Sequence, residues 1–159
     1  DLLLETVARM RPRESFKLLI LAGGNFAPFA ADVHRLNLED RVIVRENVAD
    51  IEDYLSAADL GLFTSDTESF CLSILEAMCF ACPSVARNVG GIPEVISDNV
   101  TGRLVDSGNA DELARAVENL IADPARRFAL GQAAKASAHE LFSAEAIVPR
   151  YEQLYQHCQ

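Results

Sequence analysis

Two hydrophobic periods alternate along the chain. Short apolar runs of strand length lie at Phe16 to Ala22 (FKLLILA), Arg41 to Val44, Leu60 to Ser65 (LGLFTS), Ser84 to Ala86 and Arg103 to Val105. Continuous runs of this length, rich in Leu, Ile and Val, suit buried strands. Between them, apolar residues recur every three or four positions, the spacing of a helix with one apolar stripe. Helices are predicted over Ala27 to Leu36, Ile51 to Ala58, Ser69 to Phe80 and Pro93 to Ser97, and the chain itself opens on a helix-like pattern. Gly23-Gly24 and Gly90-Gly91 follow strands and release the backbone into tight turns.

Beyond Val105 the pattern becomes helical throughout. Asn109 with Glu112 three residues on has the form of a capping box, and Leu113, Ala116, Val117, Leu120 and Ile121 share one face behind it. Asp123-Pro124 restarts a helix, with Asp as cap and Pro in its first turn. A last helix is expected after Ser143, with a stripe of Ile147, Tyr151, Leu154 and Cys158.

Strands that alternate with helices imply an α/β fold: a Rossmann-like parallel sheet with helices on both faces, followed here by carboxyl-terminal helices. No repeat or low-complexity linker divides the sequence, so residues 1 to 159 are expected to form a single domain. In such sheets ligands collect at the carboxyl ends of the strands. That rule selects three loops: Gly23-Gly24, Ser65 to Glu68, and Gly90-Gly91.

Composition narrows the partners. A net charge of −10 excludes a broad basic surface for nucleic acid or anionic membrane, so a bound anion must be held locally. The apolar runs are far too short to span a bilayer and no secretory signal opens the chain, which points to a cytoplasmic location without a transmembrane segment. The chain begins at Asp1 inside a helical pattern and reads as a piece of something longer. Cys79 and Cys82 form a C-x-x-C pair, but no second pair or spaced histidines complete a metal site, and the pair closes a helix where a redox pair opens one. Reduced structural thiols are expected, with no metal. His34, His139 and His157 have no partners at ligand spacing.

The richest segment is Ser65-Asp66-Thr67-Glu68-Ser69, where a strand empties directly into a helix. The helix start offers unpaired N–H groups and partial positive charge, a site for a diphosphate, with Phe70, Cys71 and Leu72 as donors. Ser69, Ser73 and Glu76 form a narrow polar strip on an otherwise apolar helix. Glu68 and Glu76 lie about 12 Å apart if both are helical, too far to share one glycosidic bond as in hydrolases and suited to opposite ends of an extended ligand. Spacing alone nevertheless favours a plainer account, with Glu68 complementing a helix dipole and Glu76 solvated. Gly23-Gly24 and Gly90-Gly91 are likewise explained by turns alone.

The segment ESFCLSILEAM (Glu68 to Met78), with Pro83 and NVGGIPEVISDNVTGRLV (Asn88 to Val105), resembles the family-four (group 1) retaining glycosyltransferases. LAGG (Leu21 to Gly24), AADLGLFTS (Ala57 to Ser65) and FSAEAIVPRYEQLY (Phe142 to Tyr155) extend the likeness over nearly the whole chain, and VGGIPEVI resembles the N-acetylglucosaminyl malate synthases among them. The resemblance implies the donor-binding, carboxyl-terminal domain of a GT-B enzyme. Its substrate would be a nucleoside-diphosphate sugar, expected to be a UDP-sugar, and no metal would be needed. Glu68 would serve the transferred sugar as the catalytic residue. Donor binding would fall to Glu76, Ser69, Phe70, Cys71, Leu72, Gly23 and Gly24.

Two positions depart from the family pattern: Cys71 and Ala81 stand where relatives carry glycine. The family's first donor-domain strand and its acceptor domain are also absent from the sequence, so the chain alone is not expected to turn over. A nucleotide-sugar epimerase of the same architecture and a non-catalytic nucleotide-binding or interaction module are the alternatives.

Overall fold

The computed structural model describes residues 1–11 and 16–157. Cys158, the last position of the expected final stripe, lies outside them. The elements run α1 (Leu2–Arg9), β1 (Leu18–Ala22), a 3-10 turn (Ala27–Phe29) leading into α2 (Ala30–Arg35), β2 (Val42–Glu46), α3 (Ile51–Ala57) and β3 (Gly61–Phe63). They continue with α4 (Leu72–Cys79), β4 (Ser84–Arg87), α5 (Ile92–Val95), β5 (Gly102–Val105), α6 (Ala110–Ala122), α7 (Pro124–Phe142) and α8 (Ala144–His157). The predicted alternation is present. No helix among the described residues is long and apolar enough to cross a membrane.

Every ladder is parallel. β4 lies between β3 and β5, with Val85 beside Leu62 and Arg103. Side chains alternate across this sheet, so β4 sends Val85 into one core and Ala86 into another. The first core gathers Leu4 and Val7 of α1, Leu113, Val117 and Leu120 of α6, and Leu62 of β3. The second gathers Ile74 and Met78 of α4, Ile92 and Val95 of α5, Ala134 and Ala138 of α7, and Phe63. Helices therefore cover both faces, as the α/β pattern requires.

β1 and β2 form a separate parallel ladder, with Leu18 opposite Val42 and Ala22 opposite Glu46. It is not hydrogen-bonded to β3, β4 or β5. Leu18, Ile20 and Val42 nonetheless pack on the same first core as Leu62 and Val85. Both ladders thus lie on one hydrophobic layer without pairing to each other.

The helix ends follow from local sequence. Asn109 accepts from the amides of Asp111 and Glu112, and Asp123 from that of Arg126, the two caps expected. At the end of α4, Ala81 takes φ +56°, its N–H donates to Met78 O, and Cys82 N–H reaches back to Ala77 O. This pair of bonds is a Schellman ending with alanine in the left-handed position that glycine normally fills. The Ala81 carbonyl packs against Gly131 of α7, where an added Cβ would stand 2.1 Å from it.

Candidate functional site

The predicted helix start shifts by three residues. α4 begins at Leu72 because Cys71, its cap, takes the left-handed conformation (φ 66°, ψ 71°). Glu68 and Ser69 consequently belong to the loop after β3, and a separation based on helical rise does not apply to Glu68 and Glu76. The left-handed backbone costs a residue with a Cβ about 1 kcal/mol or more. That cost falls at the position where the sequence departs from glycine.

The first helical hydrogen bond runs from Ile74 N–H to Cys71 O. The amides of Phe70, Cys71, Leu72 and Ser73 have no hydrogen-bond acceptor among the described residues. They form the donor cluster expected at a helix amino terminus. Glu76 and Ser73 lie on α4 on the polar strip that the sequence anticipates. Leu72, in the first turn of α4, is open to solvent at 65 % exposure.

Glu68 is held from two sides. Ser65 Oγ donates to Glu68 Oε1 at 2.9 Å, and Gly91 N–H donates to the Glu68 carbonyl at 3.0 Å. The second contact explains Gly90-Gly91 as more than a turn. A Cβ on Gly90 would lie 1.8 Å from Glu68 O, and one on Gly91 would lie 2.0 Å from Ser69 O. Gly90 also has φ +54°. The loop after β4 is thus pressed flat against the loop after β3, which only glycine permits.

Cys71 lies among these charges. Burial raises its thiol above the ordinary range, and the carboxylates of Glu68 and Glu76 push the same way, against a hydrogen bond from the Ile74 amide. The thiol remains protonated at neutral pH. Both acidic side chains therefore act on one atom at the head of α4. Phe70 is fixed from behind by an edge contact with Phe142 at the end of α7, 5.6 Å between ring centres.

Gly23 and Gly24 follow β1 at an exposed turn where an added Cβ would meet nothing within 4 Å among the described residues. No close backbone approach explains them. Cys71, Cys79 and Cys82 are free thiols, with Cys79 exposed at the end of α4 and Cys82 buried beyond it. No group of three or more potential metal ligands gathers among the described residues.

Sequence reasoning overlooks Arg87. It ends β4 and donates through Nη1 to Ser65 O at 3.2 Å and to the Asp66 carboxylate. A charged residue closing the otherwise buried strand SVAR, on the ligand-bearing edge of the sheet, is the available signal.

Comparison with known proteins agrees with this architecture. The family model described as glycosyl transferases group 1 matches residues 1–137. The N-acetyl-alpha-D-glucosaminyl L-malate synthase of Bacillus anthracis is 36 % identical over 140 residues, covering 87 % of this chain and 37 % of that protein. A D-inositol 3-phosphate glycosyltransferase of Segniliparus rotundus is 35 % identical over 154 residues, covering 92 % and 34 %. The crystal structure of Anabaena Alr3699/HepE in complex with UDP and glucose superposes with a TM-score of 0.88 at 27 % identity, over 98 % of this chain and 44 % of that one. The chain thus spans little more than a third of the length of the first two relatives.

Proposed function

The chain belongs to the group 1 glycosyl transferases, and on that premise we propose that it is the donor-binding domain of a retaining enzyme that transfers a sugar from a UDP-sugar. The observation that carries this is the head of α4, where unpaired amides and two glutamates surround Cys71. The diphosphate sits on the amides of Phe70, Cys71 and Leu72, which stabilise charge on the leaving group as the glycosidic bond breaks. Glu76 accepts from the ribose hydroxyls. Glu68, aimed by Ser65, meets the transferred sugar and supports positive charge developing at its anomeric carbon. Ser69 and the Gly23-Gly24 turn complete the donor cradle.

The acceptor is held by a second domain across a cleft. The unpaired edges of β1 and β3, on one shared core, accommodate a further parallel strand from the same protein. Such a strand would join both ladders into one sheet.

The test uses the full-length protein with UDP-N-acetylglucosamine as donor, and with L-malate or D-inositol 3-phosphate as acceptor, the compounds that the names of the two relatives suggest. Glu76→Ala should weaken UDP-sugar binding about 10- to 100-fold, the worth of a hydrogen bond to a charged group. Glu68→Ala should lower turnover with a smaller effect on UDP binding. Wild-type turnover and affinity in both variants would sink the assignment. Epimerised donor in the absence of acceptor would replace transfer with isomerisation.

A further inference from the structure

We propose that Arg87 is a positioning residue that aims Glu68 through Ser65. The inference rests on the assignment of Glu68 to the transferred sugar.

Arg87 closes the central strand β4, and its side chain is only 13 % exposed. Its guanidinium lies between two loops. On one side Nη1 donates to the Ser65 carbonyl at 3.2 Å and to Asp66. On the other, Gly108 of the loop after β5 comes so close that an added Cβ would stand 3.2 Å from Nη2. Nε is buried without a hydrogen-bond partner among the described residues. A buried cation with an orphaned donor is a costly way to fill space, so local stability is a poor account of its presence. Asp66 is 89 % exposed, which makes the ion pair a weak reason as well.

The remaining contact is the informative one. Ser65 is gripped by Arg87 at its carbonyl, and its hydroxyl in turn donates to Glu68 Oε1. The main chain of Glu68 is fixed separately by Gly91. Arg87 therefore governs the direction of the Glu68 carboxylate, while the α4 amides and Glu76 are set by the helix itself. Loosening Ser65 should disturb the reacting end of the donor and leave the nucleotide end in place. Misplacement by about 1 Å can cost on the order of 100-fold in rate.

The experiment compares Arg87→Met, Arg87→Lys, Ser65→Ala and the Arg87→Met/Ser65→Ala double variant in the full-length protein. Readouts are UDP release from UDP-N-acetylglucosamine with L-malate, UDP affinity by calorimetry, and the urea midpoint. Arg87→Met should lower kcat about 10- to 100-fold with UDP affinity within about threefold, and Arg87→Lys, which keeps a charged donor, should recover part of the loss. The double variant should be no slower than the worse single variant, because both changes break one chain of contacts. Unchanged kcat, an equal loss of UDP affinity, or multiplied losses in the double variant would overturn the proposal. Amide exchange over residues 61–72 tests it independently of turnover: faster exchange in Arg87→Met supports it, and unchanged exchange overturns it. Glu68→Ala separates the two levels. Full activity there removes the Glu68 assignment itself, whereas an inactive Glu68→Ala beside a fully active Arg87→Met removes only the role of Arg87.

Discussion

Replacing Gly131 with alanine should destabilise the protein by about 2 kcal/mol, although alanine is the better helix former. The new Cβ would stand 2.1 Å from the Ala81 carbonyl oxygen and 3.3 Å from Pro83 Cδ. A carbon needs about 3.3 Å from a carbonyl oxygen, so α7 must retreat from α4 by about 1 Å. A gap of that size forfeits a quarter to a half of the dispersion attraction across the contact, where α7 buries Ala134 and Ala138 against Ile74 and Met78. Overpacking of this kind costs about 3 kcal/mol at its upper range, offset by about 1 kcal/mol of helix propensity. The opposite change, Ala81→Gly, relieves about 1 to 2 kcal/mol of left-handed strain at the cost of about 0.5 to 1 kcal/mol in chain entropy. A net gain of about 0.5 to 1 kcal/mol is expected. Urea unfolding measures both, with Gly131→Ala shifting the midpoint down and Ala81→Gly shifting it up at constant slope. A neutral or stabilised Gly131→Ala would mean that α7 slides freely over the end of α4, and the packing argument would fail.

Two further outcomes follow from the site and its helix. Gly91→Ala, which sets a Cβ 2.0 Å from Ser69 O, should displace the Glu68 loop and abolish turnover; an active variant with native stability would show that the two loops need not touch. The Cys82 thiol is pushed up to about 11 from an ordinary value near 9, chiefly by burial and secondarily by Asp59. Above pH 9 the unfolded chain releases a proton that the folded chain retains. The contribution is therefore complete below about pH 9 and lost as pH rises through about 11, on the order of 2 to 3 kcal/mol. Subtracting the urea stability curve of Cys82→Ala from that of the wild type between about pH 7 and 11 isolates it, and a flat difference would refute it.

The strands and most helices are legible because each declares itself within a few residues, through runs such as LLILA and caps such as Asn109 and Asp123. The start of α4 is not. Spacing and propensity give no sign that a cysteine will adopt φ 66°, and only the glycine of the family pattern at this position hints at it; this one choice moves Ser69 out of the helix. The separation of β1 from β3 leaves no local signal, since parallel pairing is decided by neighbours distant in sequence; only the likeness to a family whose donor domain carries one more strand anticipates it. Glu68 and Glu76 are proposed from their segment, whereas Arg87 donates to Ser65, 22 positions away. Side-chain bonds of that range leave no local period. Gly90-Gly91 is recognisable as a turn, but its closeness to Glu68 and Ser69 belongs to tertiary packing.

The two cysteines at the end of α4 give the helix its own chemical clock. Cys79 is open to solvent and Cys82 is enclosed beyond the Schellman turn. A thiol reagent reaches the first at once and the second only while that turn is open. The ratio of the two labelling rates thus reads the opening equilibrium of the helix that bears the candidate site, with no probe introduced. Because the amides at its other end are the proposed anion cradle, slower labelling of Cys82 with UDP present would report occupancy from the far end of the same helix.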